Sequence, residues 1–149
     1  MGRAEDILRS TEWKYGDQDP VARAELKSRI ETRVRSDSTI TYSKLADGVP
    51  FRLAEFNNGE PYYLDFMERH GIDSTILGSF LGRIDADTYR EAGFFITAFV
   101  VLGATGLPSY SFFESAKDLN LIPDLGEDTK LRFWTEQMRL AKEYYSKNR

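Results

Sequence analysis

A chain of 149 residues that is 41% hydrophobic and 13% aromatic can bury one core and is too rich in Phe, Tyr and Trp to stay disordered. It has no cysteine, which excludes disulfides, thiolate metal sites, iron–sulfur clusters and a Cys nucleophile. Its net charge of −4 repels nucleic acid globally, so any DNA contact needs a local basic patch.

The N-terminus, Met1-Gly2-Arg3-Ala4, lacks the basic-then-apolar layout of a signal peptide. The apolar run from Gly93 to Ala104 is broken by Thr97 and is too short to span a bilayer. These features predict a single cytoplasmic domain over 1–149 that makes no membrane contact.

In chain order, Ala4, Ile7, Leu8 and Thr11 share one face of a short helix that ends before Gly16. Asp19-Pro20 reads as an N-cap followed by proline at the first helical position, where its missing N–H costs nothing. Ala22, Leu26, Ile30 and Val34 then recur every four residues, predicting an amphipathic helix to about Arg35. Thr39 to Tyr42 is β-branched and aromatic and predicts a strand, after which Ser43 caps a short helix through Ala46. Phe51 to Pro61, with Asn57-Asn58-Gly59, reads as a loop or small hairpin.

Tyr62 to His70 is predicted as a helix closed by Gly71. Asp73 is predicted to cap the next one, whose apolar face is Ile76, Leu77, Phe80, Leu81 and Ile84, with Gly78 and Gly82 as a small, closely approachable strip. Asp85-Ala-Asp87-Thr88 then reads as a turn and a further cap. Phe94 to Leu102 is apolar on both faces and predicts a buried strand. Gly103 to Gly106 turns, and Ser111-Phe-Phe-Glu114 has the pattern of a capping box opening a helix through Leu119. The last predicted helix, about Glu127 to Ser146, carries two stripes. One is Leu131, Trp134, Met138, Ala141 and Tyr145; the other is Phe133, Gln137, Leu140 and Tyr144. So broad a face is expected to dock on the domain or to pair with a second copy as a homodimer.

Candidate chemistry is sparse. His70 is the only histidine, and a helix C-terminus explains it without a metal. No metal and no cofactor are expected. Asp85 and Asp87, with Glu91 nearby, have the residue types for Mg²⁺ binding or acid–base work, but a turn and cap account for them more simply. No serine lies in a Gly-x-Ser-x-Gly elbow, and Gly103-Ala-Thr-Gly106 is not followed by the Lys-Ser/Thr of a phosphate loop. The chain is accordingly read as not an enzyme. Its basic helix is the remaining candidate: Lys27, Arg29, Arg33 and Arg35, joined by Lys44 and Arg83, are placed to contact phosphates. Against this, Glu25 and Glu31 stand four residues before Arg29 and Arg35, the spacing of ordinary helix ion pairs.

Thr41-Tyr-Ser-Lys-Leu-Ala46, then Ile76-Leu-Gly-Ser-Phe-Leu-Gly82, then the segment Ile96 to Leu102 follow the element order of a known family. The pattern resembles the DNA-binding domain of alkylguanine-DNA alkyltransferases and their catalytically inactive relatives. Where that family has its reactive Cys-His-Arg, this chain reads Ala98-Phe99-Val100, and Thr75 stands at the place of the base-displacing arginine. The resemblance therefore implies a winged-helix scaffold without alkyl transfer. Residues 76–145 also resemble short bacterial proteins of no assigned activity: an apolar strand, Thr-Gly-x-Pro, Phe at a helix start, and Phe-Trp before a Tyr-rich last helix.

The expected fold is α+β, a winged-helix-like centre with a small sheet and flanking N- and C-terminal helices. Phe80, Leu81, Phe94, Ile96, Phe99, Val101 and Trp134 are expected in its core. The expected function is a non-catalytic DNA-binding or DNA-associated module. Ser74, Thr75, Ser79 and Arg83 would face the groove of duplex DNA, and Lys27, Arg29, Arg33 and Lys44 its phosphates. The alternative is an acidic protein-binding module of the inhibitor, adaptor or immunity type, since residues 47–149 hold eleven Lys/Arg against sixteen Asp/Glu.

Overall fold

The computed structural model describes residues 3–67 and 70–148, without the side chains of Arg3 and His70. The elements are α1 (Arg3–Ser10), α2 (Pro20–Arg35), β1 (Ile40–Thr41), α3 (Tyr42–Ala46), α4 (His70–Ala92), a 3₁₀ turn (Ile96–Phe99), β2 (Val100–Val101), α5 (Tyr110–Asp118) and α6 (Glu127–Lys147). The fold is mixed helix and small sheet, with helices predominant. β1 and β2 pair in parallel, Ile40 opposite Val100 and Thr41 opposite Val101.

Helix α2 follows its sequence signals closely. The Asp19 carboxylate accepts the Ala22 N–H at 3.0 Å, Pro20 opens the helix, and Ala22, Leu26, Ile30 and Val34 are buried. The second Asp19 oxygen accepts the Arg52 N–H at 2.8 Å, so the cap also fastens the loop after α3. That loop turns through Asn57, Asn58 and Gly59, all at positive φ, and closes on a single antiparallel bridge between Phe51 and Tyr62.

This bridge overturns the expected Tyr62–His70 helix over 62–67; residues 68 and 69 lie outside the described residues. Tyr62 exchanges both backbone hydrogen bonds with Phe51, and residues 62–67 are not helical. Asp73 is no cap either. It lies fully buried in the first turn of α4, where its carboxylate accepts the Tyr62 hydroxyl at 2.7 Å and the Asp65 N–H at 2.6 Å. The expectation for His70 concerns a side chain outside the described residues.

Helix α4 runs unbroken through Asp85-Ala-Asp87-Thr88, where a turn was expected. Those polar residues serve the segment that returns against the helix. Thr88 Oγ1 donates to the Phe94 carbonyl at 2.8 Å, and the Asp85 carboxyl accepts the Thr97 N–H at 3.0 Å. From α6, Gln137 Oε1 accepts the Phe95 N–H at 2.8 Å and Trp134 Nε1 donates to the Ala98 carbonyl at 2.8 Å. Side chains of two helices thus satisfy backbone groups that a sheet would otherwise have to pair. Freed from that need, the expected strand 94–102 forms a 3₁₀ turn and keeps only Val100–Val101 as strand.

The caps of two short helices also shift. Thr41, not Ser43, caps α3, its Oγ1 accepting the Lys44 N–H at 3.3 Å. Ser109, not Ser111, stands at the start of α5, and it makes no side-chain cap there.

Phe80, Leu81, Phe94, Ile96, Phe99 and Val101 are buried, as the patterning predicts. Trp134 is a correction: it is only half-buried, its ring against the core and its N–H committed to Ala98. In the first stripe of α6, Ala141 and Tyr145 are buried, whereas Leu131 is 53% exposed. In the second, Gln137 is buried and Phe133, Leu140 and Tyr144 pack half-buried on this same core. Among the described residues, no helix is long and apolar enough to cross a membrane.

Candidate binding cavity

Three segments meet along one side of α4. The stretch after α1 docks first: Ser79 Oγ accepts the N–H groups of both Tyr15 and Gly16 at 3.0 Å. Approach is so close that a Cβ on Gly16 would lie 2.5 Å from the Ser79 carbonyl oxygen. One turn on, the Trp13 ring lies over Gly82, where a Cβ would come within 2.3 Å of it. Gly82 is therefore required by packing.

Gly78 is not. A Cβ there meets nothing within 4 Å. Glycine inside a helix costs about 1 kcal/mol relative to alanine, and no neighbour offsets that cost here. What Gly78 borders is a cavity of about 450 Å³, a volume within the usual range for small-molecule sites.

The cavity is lined by residues of β1, α3, α4, β2 and α5 and of the segments around them. Helix α4 supplies Ser74, Leu77, Gly78, Leu81, Gly82 and Asp85. Thr41, Tyr42 and Ser43 come from the junction of β1 and α3, and Val101, Leu102 and Gly103 from β2 and its turn. Helix α5 and its N-cap add Ser109, Ser111, Phe112 and Ser115; Trp13, Phe66 and Thr97 complete the wall. The lining is mainly apolar, and Leu77, Leu81, Val101 and Phe112 are themselves core residues.

Two polar groups in it are shaped by their surroundings. Asp85 accepts both the N–H and, at 2.5 Å, the hydroxyl of Thr97. Burial pushes its carboxyl up to about 7, and the two Thr97 hydrogen bonds oppose that rise without cancelling it. Tyr42 accepts the Ser109 N–H at 2.9 Å, tying α3 to the start of α5. Burial raises the Tyr42 phenol, the Ser109 bonds counter it, and the nearby Asp85 charge adds to the rise. Ser109 thus meets the Tyr42 hydroxyl through both its N–H and its side chain, and the hydroxyls of Ser43, Ser111 and Ser115, all on exposed residues, make no hydrogen bond among the described residues. Hydrogen-bonding capacity is thus left facing the cavity.

The residues singled out from sequence for nucleic acid lie on α2, α3 and α4, and most of them are engaged within the chain. Arg29 donates to the Leu45 and Asp47 carbonyls at 3.1 and 2.7 Å and to Glu25 at 2.9 Å, and Arg33 donates to the Thr39 carbonyl. The expected Glu25–Arg29 pair is present; Arg35 instead lies over the Tyr145 ring. Arg83 bridges Asp17 at 2.5 Å and Asp87 at 3.2 Å. Ser79 holds Tyr15 and Gly16. Lys27 is half-buried on α2, and Lys44 is exposed on α3. Ser74 and Thr75 are exposed at the start of α4, with Ser74 at the cavity and Thr75 bonded to the Gly71 carbonyl at 3.1 Å.

Sequence reasoning paired Asp85 with Asp87, yet residues two apart on a helix point to different sides. Asp87 turns to Arg83, and Asp85 turns inward. The usable signal was the strip Gly78, Gly82, Asp85, whose spacing of four and three places all of them on one face. Among the described residues, no group of three or more His, Asp or Glu side chains is arranged to hold a metal ion. No family model matches the chain, and no curated protein or solved structure matches it.

Proposed function

We propose that this protein binds a small, largely apolar molecule in the cavity beside α4. One observation carries the reading: a mainly apolar space of about 450 Å³ has in its wall a carboxyl raised by desolvation, Asp85, and a phenol, Tyr42, held by Ser109. Convergent polar groups in an apolar pocket are the usual form of a small-molecule site. Gly78 adds to this, since its lack of a side chain keeps the space open and no packing contact requires it.

Titration of the full chain with a neutral naphthylamine dye, followed by dye fluorescence and by tryptophan quenching, tests the reading. Saturable one-to-one binding is expected, and Gly78→Phe, which places a ring in the open space, should weaken it at least tenfold. Absence of saturable binding, or binding indifferent to Gly78→Phe in a folded variant, would overturn the reading.

A second reading keeps the centre as a winged-helix module that associates with duplex DNA. Its support is the chain order α2, β1, α3, α4, β2, together with Lys44, Ser74 and Thr75 at the surface. It draws less support than the cavity because Arg29, Arg33, Ser79 and Arg83 are engaged within the chain.

A further inference from the structure

We propose that the cavity selects an organic cation, an amine with an apolar body whose ammonium group sits against Asp85. This rests on the cavity reading above and names the class of ligand.

The charge inventory of the wall points that way. Its described residues include no Lys, Arg or His; the titratable groups are Asp85 and Tyr42 alone. Each element packed against Asp85 contributes a neutral partner or none. From the 3₁₀ turn comes Thr97, through its N–H and hydroxyl, and from α3 comes Tyr42. On α4 itself, Arg83 is turned away to Asp17 and Asp87. Asp85 is therefore a half-buried acid with no cation among the residues that line the cavity.

A carboxylate offers about four lone-pair sites, and Thr97 fills two. An ammonium ion can take the others and supply the missing counter-charge in a poorly solvated place, where such pairing is strongest. The Trp13, Tyr42, Phe66 and Phe112 rings on the same wall provide π faces for a cation and apolar area for its body. An anion of the same shape would meet the Asp85 charge with no basic residue to offset it.

The test uses three probes with one body: phenylbutylamine, phenylbutanol and phenylbutyrate, each titrated into the full chain by calorimetry at about pH 8. The amine should bind at least tenfold more tightly than the alcohol, and the carboxylate most weakly. Asp85→Asn, which keeps the shape and an acceptor for Thr97, should abolish the advantage of the amine over the alcohol. Lowering the pH from about 8 to about 6 protonates Asp85, so amine affinity should fall roughly tenfold while alcohol affinity holds. Equal binding of amine and alcohol, or preference for the carboxylate, would overturn the cation inference and leave the cavity reading standing. Failure of all three probes would overturn both.

Discussion

The basic side of α2 and the wall of the cavity are both rich in polar side chains, but they dispose of them in opposite ways. On α2, Arg29 and Arg33 reach past the helix to the carbonyls of Leu45, Asp47 and Thr39, holding the short β1–α3 unit in place. Along the cavity, Ser43, Ser111 and Ser115 keep hydroxyls that no described protein group uses, and Asp85 is held by neutral donors from one residue. The conspicuous charge pattern here is spent largely within the chain, and a quiet stretch of Ser, Gly and one Asp marks the proposed ligand site. The physical distinction is commitment: a side chain bonded within the chain has little left to offer a partner.

The largest expected effect belongs to Asp85. Its carboxyl is raised from 3.8 to about 7, so the folded state binds a proton more tightly than the unfolded chain. Stability from this group is therefore full below about pH 4 and is lost as pH rises toward about 7. At ~1.36 kcal/mol per unit the loss is up to about 4 kcal/mol. Urea unfolding of the ligand-free protein across that range should show the decline, and Asp85→Asn should flatten it. A flat profile in the unaltered protein would mean that Asp85 is solvated and the cavity wet.

Arg29 comes next. Arg29→Ala strips charge-assisted hydrogen bonds from the Leu45 and Asp47 carbonyls, and a loss of about 2 kcal/mol is expected by chemical denaturation. Unchanged stability with weakened duplex-DNA binding in an anisotropy titration would reverse the comparison and return α2 to the role its charge first suggests.

The smallest effects sharpen the contrast within α4. Gly82→Ala forces the Trp13 ring to move and should cost about 1–3 kcal/mol. Gly78→Ala, one turn away, meets open space and should stabilise the helix by about 0.5–1 kcal/mol. Equal and opposite thermal shifts are not required; a difference in sign is. If both destabilise, Gly78 is a packing residue and the open wall is closed in solution.

Much of this molecule was legible without coordinates. The Asp19-Pro20 start and the period of Ala22, Leu26, Ile30 and Val34 specify α2, because a cap and an apolar stripe act over a few residues. The α6 span and six of the seven expected core residues follow from the same local rules. Three readings failed where a distant partner decided. Residues 62–67 are not helical because Phe51 and Asp73 bind Tyr62, and 94–99 is no strand because Thr88, Gln137, Asp85 and Trp134 take up its backbone. Asp85 to Thr88 is helix because those same side chains have a use inside it.

The sequence by itself determined α2, α6, their apolar faces and the absence of thiol chemistry, since each depends on residue type and near spacing. Only the tertiary structure decided which polar groups stay unpaired, and so where a ligand fits. Whether Arg29 meets a carbonyl or a phosphate, and whether Gly78 faces a ring or an empty space, depends on residues well separated in the chain. No periodicity in a single strip of sequence encodes that distance.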